Sequence, residues 1–207
     1  MIGNYFFSRL KRRESDLVNE AQMHFDEGIR LATKGLYPNA VVELKSATRA
    51  NPQHAEAWLE LGRSYHSMHQ PAKAIKAYLV ALEVRPSFVT AYKNLGVAYD
   101  DLGDFVKALK MYARAIVLAP QDPELRNDLG LVYFNIGSYA EAMKAFRQAL
   151  EIDPHSARAH YYLGLVYLDL RDNEMAFVQH GELKARNEKD LAFQLLEKIQ
   201  HPTRQAS

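Results

Sequence analysis

Residues 89–122 read VTAYKNLGVAYDDLGDFVKALKMYARAIVLAPQD, and residues 123–156 read PELRNDLGLVYFNIGSYAEAMKAFRQALEIDPHS. Laid one above the other, they agree at Leu95 and Leu129, Gly96 and Gly130, Tyr99 and Tyr133, Gly103 and Gly137, Ala108 and Ala142, Ala115 and Ala149, and Pro120 and Pro154. The register extends back through Leu61, Gly62, Tyr65 and Pro86 to Pro52, and forward to Leu163, Gly164 and Tyr167. A fixed period of 34 residues means a stack of similar supersecondary units, not a globule around one cleft. The repeats run 21–54, 55–88, 89–122, 123–156 and 157–190 of the 207 residues.

Within each repeat, numbered from 1, position 8 reads Gly28, Gly62, Gly96, Gly130 and Gly164, and position 20 reads Ala40, Ala74, Ala108, Ala142 and Ala176. Position 24 reads Leu44, Tyr78, Tyr112, Phe146 and His180. Positions 4, 7, 8 and 11 share one helical face, and positions 20, 24 and 27 share another. The pattern predicts two antiparallel helices per repeat, brought close by the small residues at 8 and 20. Gly35, Gly103 and Gly137 fall where a helix C-terminus often needs a left-handed residue. Asp122 followed by Pro123 predicts a capped helix start. Ser138 followed by Glu141 predicts a capping box.

These residues carry the pattern W-x2-L-G-x2-Y … A-x3-F … P, including Trp58, and the chain resembles the tetratricopeptide-repeat family across residues 21–190. The resemblance implies an all-α, right-handed α-solenoid of about five helix–turn–helix units. The ends depart from the pattern. Repeat one has Glu27 and Leu31 where leucine and tyrosine are expected, and repeat five has Arg171, Asn173, His180, Leu183 and Glu188 at framework positions. Terminal repeats are commonly atypical because one side faces water or a cap. Residues 191–200, with Leu191, Leu195, Leu196 and Ile199 on one stripe, read as a capping helix, and 201–207 as a flexible tail.

Composition narrows the function. Lys plus Arg is 26 against 25 for Asp plus Glu, which gives no global pull toward nucleic acid or an anionic membrane. The chain has no cysteine, so thiolate chemistry and disulfides are excluded, and a reducing, cytoplasmic compartment is expected. No stretch approaches the ~20 apolar residues of a membrane span. The start, MIGNYFFSRLKRRE, places apolar residues before basic ones, the reverse of a secretory signal. There is no HExxH, G-x-S-x-G or phosphate-cradling loop, and no cofactor or metal is expected. His66 and His69 have no third ligand in view, and Asp100 and Asp101 read as a solvated helix end.

The resemblance further implies that the first helices line an inner groove through positions 2, 5, 9, 12 and 13. On this chain the groove residues are Lys93, Val97, Asn127, Leu131, Phe134, Tyr161, Tyr162, Leu165 and Leu168, an apolar strip that strengthens toward the C-terminus. Asn127 is expected to offer its amide to a partner's backbone. The clamp by which some family members grip an acidic tail would need Lys93, Val97, Asp128, Arg158 and Tyr162 to be Lys, Asn, Asn, Lys and Lys or Arg; two of the five, Lys93 and Arg158, carry the right charge, and Asp128 would repel a carboxylate. Residues 1–20 form a second region, where Tyr5, Phe6 and Phe7 meet Arg9, Lys11, Arg12 and Arg13 as a helix or arm for assembly or membrane contact. The expected role is a non-catalytic, bacterial adaptor that binds a partner's peptide or helix. The alternatives are a self-assembling homo-oligomeric scaffold and a membrane-peripheral assembly factor.

Overall fold

The computed structural model describes residues 2–201, with side chains from residue 16 onward. The elements are α1 (Ile2–Thr33), α2 (Tyr37–Ala50), α3 (Ala55–Ser67), α4 (Pro71–Val84), α5 (Val89–Asp100), α6 (Phe105–Leu118), α7 (Pro123–Asn135), α8 (Tyr139–Ile152), α9 (Ala157–Asp169), α10 (Asn173–Ala185) and α11 (Lys189–Gln200). No strand occurs among the described residues. The chain divides within α6 into two compact units, one holding α1 to α5 and the other α7 to α11. In each unit every helix packs on its neighbour in sequence. α1 runs unbroken through residue 20, so the start of repeat one is not a helix boundary. The side chains of Tyr5, Phe6, Phe7, Arg9, Lys11, Arg12 and Arg13 lie outside the described residues.

Helix ends follow the chemistry of the turns. Asp122 accepts a hydrogen bond from the Glu124 amide, Ser156 from Ala159 and Asp172 from Met175. Each satisfies one of the amides that a helix start leaves without a partner. Ser138 precedes α8 but makes no side-chain cap, so the expected capping box with Glu141 does not form. Gly35, Gly103 and Gly137 adopt φ of 75°, 72° and 74°. His69 and Arg171 occupy the same repeat position with φ of 56° and 63°, so the left-handed turn is kept even where a side chain opposes it.

The packing inside each repeat rests on the glycine at position 8. A Cβ on Gly28 would come 2.7 Å from Leu44 Cγ, and one on Gly130 would come 2.7 Å from Phe146 Cε1. Gly62 stands in the same relation to Tyr78. Leu44, Tyr78 and Phe146 are all fully buried, as are Ala40, Ala74 and Ala142 across from them. Burying a side chain of this size stabilises by roughly 1.5–3 kcal/mol.

Repeat five replaces this contact. His180 stands where the large residue should be, and its Nδ1 donates to the Ala192 carbonyl of α11 at 2.9 Å. The space over Gly164 is filled by Leu195 of α11, whose Cδ2 lies 2.6 Å from where a Cβ would be. Leu183 takes the place of a small residue and is fully buried beside Ala192, Leu195 and Ile199. The turn at Asn187, with φ of 63°, replaces the usual proline exit and delivers α11 onto α10 and α9. Three of the departures that mark repeat five, His180, Leu183 and Glu188, thus lie where α11 docks or begins.

Two glycines test this account. Gly62→Ala pushes a methyl into the immobile Tyr78 ring and is expected to cost ~1–3 kcal/mol. Gly181, on α10, has nothing within 4 Å of a Cβ and ordinary helical backbone, so Gly181→Ala should stabilise by about 1 kcal/mol. Urea unfolding of both variants checks the opposite signs.

Candidate protein-interaction surface

The inner positions of α7 and α9 build the candidate surface. Phe134, Tyr161, Tyr162, Leu165 and Leu168 are half-buried and pack against the core of the second unit. Leu131 is half-buried as well. The strip is thus a partly sunken apolar face rather than a fully exposed one.

The aromatic residues hold one another. The Tyr162 ring stacks on Phe146 with centroids 5.8 Å apart and planes 10° from parallel. Tyr161 meets Tyr162 edge-on at 5.4 Å, and Phe134 lies 6.0 Å from Tyr139. Such ring pairs contribute about 0.5–1.5 kcal/mol beyond their buried area. Burial pushes the Tyr161 hydroxyl above its ordinary pKa, and neighbouring Tyr162 adds to the shift. The chain of contacts runs from Gly130 through Phe146 to Tyr162 and Tyr161, so the framework contact places the site residues.

A polar cluster borders the strip. Asn127 is fully buried, and its Nδ2 donates to Ser156 Oγ at 3.1 Å and Glu124 Oε1 at 3.2 Å. Its Nδ2 donors are committed inside the fold and the side chain has no accessible surface, which corrects the expectation that it reaches a partner's backbone. Arg158 pairs with Asp128 at 2.7 Å and Glu124 at 3.0 Å, and its guanidinium lies 5.9 Å from the Tyr162 ring centroid. Burial pulls the Arg158 pKa down, but the two carboxylates outweigh burial and raise it, so the cation stays charged. An incoming carboxylate would meet an arginine already neutralised and an acidic neighbour that repels it.

The remaining sequence candidates fall elsewhere. Lys93 and Val97 lie on α5 of the first unit, one helical turn apart and both half-buried. His66 sits 2.5 Å from Asp101, joining α3 to the end of α5, while His69 lies in the following turn. No group of three His, Cys, Asp or Glu side chains suited to a metal occurs among the described residues. No helix among them is long and apolar enough to cross a membrane.

The sequence names the apolar residues of this candidate surface but not what orders them. Arg158 and Asp128 were judged against a foreign ligand, although opposite charges at repeat positions 2 and 6 of adjacent first helices already allowed a pair. The Phe146–Tyr162 stack joins a framework position to a groove position, and a division of residues into those two classes hides it.

Two models described as tetratricopeptide repeat match residues 31–98 and 95–161. Among solved structures, MamA is 27% identical over 79% of this chain and 95% of its own, with a TM-score of 0.72. A second MamA structure is 25% identical over 91% of this chain and 97% of its own, with a TM-score of 0.68. YrrB, a TPR protein with an unusual peptide-binding site, is 22% identical over 84% and 90%, with a TM-score of 0.67, a likeness of fold. The fold class is an all-α solenoid of helix–turn–helix repeats, and the chain belongs to the tetratricopeptide-repeat family.

Proposed function

We propose that this protein is a non-catalytic adaptor that holds an apolar peptide or helix of a partner protein on the strip formed by α7 and α9. The observation that carries the reading is the ordered aromatic–aliphatic face of Leu131, Phe134, Tyr161, Tyr162, Leu165 and Leu168. A surface held by ring stacking loses little side-chain freedom when a ligand docks, which favours affinity. Its border charges are spent on one another, so apolar contact sets the preference there. The family's fold, and a peptide-binding site in YrrB, support a protein ligand.

Self-assembly is the second reading, favoured by α1. That helix spans 32 residues where the other helices have 12 to 14, and it leaves Leu17, Val18 and Met23 exposed.

The adaptor reading is tested with Leu131→Glu plus Leu165→Glu, after circular dichroism and thermal unfolding show a retained fold. Proteins recovered with the wild-type chain in affinity purification should fall at least about tenfold, because a buried charge disrupts an apolar contact. Equal recovery removes the strip as the site. For the second reading, light scattering across a concentration series should show a mass above the 23.6 kDa of one chain. A monomer at every concentration contradicts it.

A further inference from the structure

A second surface lies in the first unit, on a different stripe of its first-helix residues. A cleft of about 350 Å³ opens between α2, α3 and α4. Its floor is Trp58, Leu61, Tyr65, Ala77 and Val80, and Lys45, Arg49, Lys73 and Lys76 stand around it. No acidic residue lines it. The volume falls in the range of ligand pockets, roughly 300–1,000 Å³.

Some cations of the chain are neutralised by carboxylates. Arg30, Arg63, Lys107 and Arg158 each have a carboxylate partner within 3.0 Å, and Arg85 and Arg186 pair with Glu56 and Glu182. Among the described residues, Lys45, Arg49, Lys73 and Lys76 have none. Lys73 donates to the Gln70 side-chain oxygen at 2.8 Å, a neutral partner. Two of the ammonium groups rest over the floor, with Lys45 Nζ 5.8 Å and Lys73 Nζ 5.6 Å from the Tyr65 ring centroid. The Trp58 indole is fixed by donation to the Pro52 carbonyl at 2.9 Å.

The repeat itself supplies the control. The matching positions between α8, α9 and α10 hold Arg147, Glu151, Met175 and Val178 in place of the four cations, and Leu150 and Glu182 in place of Thr48 and Val80. There Arg147 turns inward and donates to the Tyr167 hydroxyl at 2.9 Å. The fold therefore does not require four unpaired cations over an apolar floor; this particular junction has acquired them.

We infer that this cleft binds an acidic peptide segment of a partner protein, taking one bulky apolar side chain onto the Trp58–Tyr65 floor while flanking carboxylates meet the lysine and arginine rim. An apolar anchor gains from the desolvated floor, and a charged rim selects the partner and speeds encounter. The recess argues against a membrane surface, since interfacial binding needs a protruding apolar face. The inference is independent of the α7–α9 reading, because it uses other residues of another unit.

The experiment selects a random-peptide display library on the immobilised full chain, with Lys73→Glu plus Lys76→Glu as the competing bait. Both substitutions are on exposed positions of α4, and Lys144→Glu on α8 serves as a matched charge control. Peptides lost on the double variant should share Asp or Glu around a bulky apolar residue. A fluorescent synthetic copy should bind the double variant about five-fold or more weakly, bind the Lys144→Glu chain as it binds wild type, and weaken with salt. It should still bind the Leu131→Glu plus Leu165→Glu chain, which separates this site from the proposed groove. The inference is overturned if no peptide depends on the two lysines or if the dependent peptides lack acidic residues. It is also overturned if vesicles of phosphatidylserine and phosphatidylcholine bind through these lysines while no such peptide emerges.

Discussion

A large buried side chain resting on a glycine of the preceding helix is the contact on which the structure depends. Leu44 lies on Gly28, Tyr78 on Gly62 and Phe146 on Gly130, and in each case a methyl group would overlap the partner. Dispersion attraction is strong only at close approach, and a missing Cβ lets the helix backbone itself become the packing surface. The neighbouring alanines at position 20 have no accessible surface for the same reason. Once the helices are this close, the spacing of the inner positions on successive first helices follows.

The consequences reach both surfaces. Phe146, held on Gly130, provides the face on which Tyr162 stacks, so the apolar strip inherits its order from the core. In the first unit, Tyr65 is a framework residue, yet Lys45 and Lys73 use its ring as a platform. Framework and function are thus not separate sets of residues. At the C-terminal end the contact changes hands: Leu195 covers Gly164, His180 is freed to bond the Ala192 carbonyl, and the array closes on α11.

Much of this was legible in the sequence, because a 34-residue period fixes helix pairs, turns and core positions together. The glycines at the turns and the Asp122 cap could each be read from residue type and place. The rest needed geometry. A capping box at Ser138 has the right letters, but its hydroxyl does not meet the helix amide. Asn127 sits at a groove position, but Ser156 and Glu124 lie within reach of its amide and draw it inward. Arg171 breaks the glycine rule and still adopts φ of 63°, since the two helices it joins dictate the turn. The basic cleft went unread because its members are spread over α2 and α4, and the floor that unites them is made of residues counted as core.

The dependence of the packing on one contact is measured most directly by a double-mutant cycle on Gly130 and Phe146. Gly130→Ala, Phe146→Ala and the pair together are unfolded in urea, with near-UV circular dichroism following the aromatic strip. If the glycine exists to seat the ring, trimming the ring relieves the added methyl. The double variant should then be more stable than the sum of the two losses by about 1 kcal/mol or more. Additivity within about 0.3–0.5 kcal/mol would contradict the account, since independent sites behave that way.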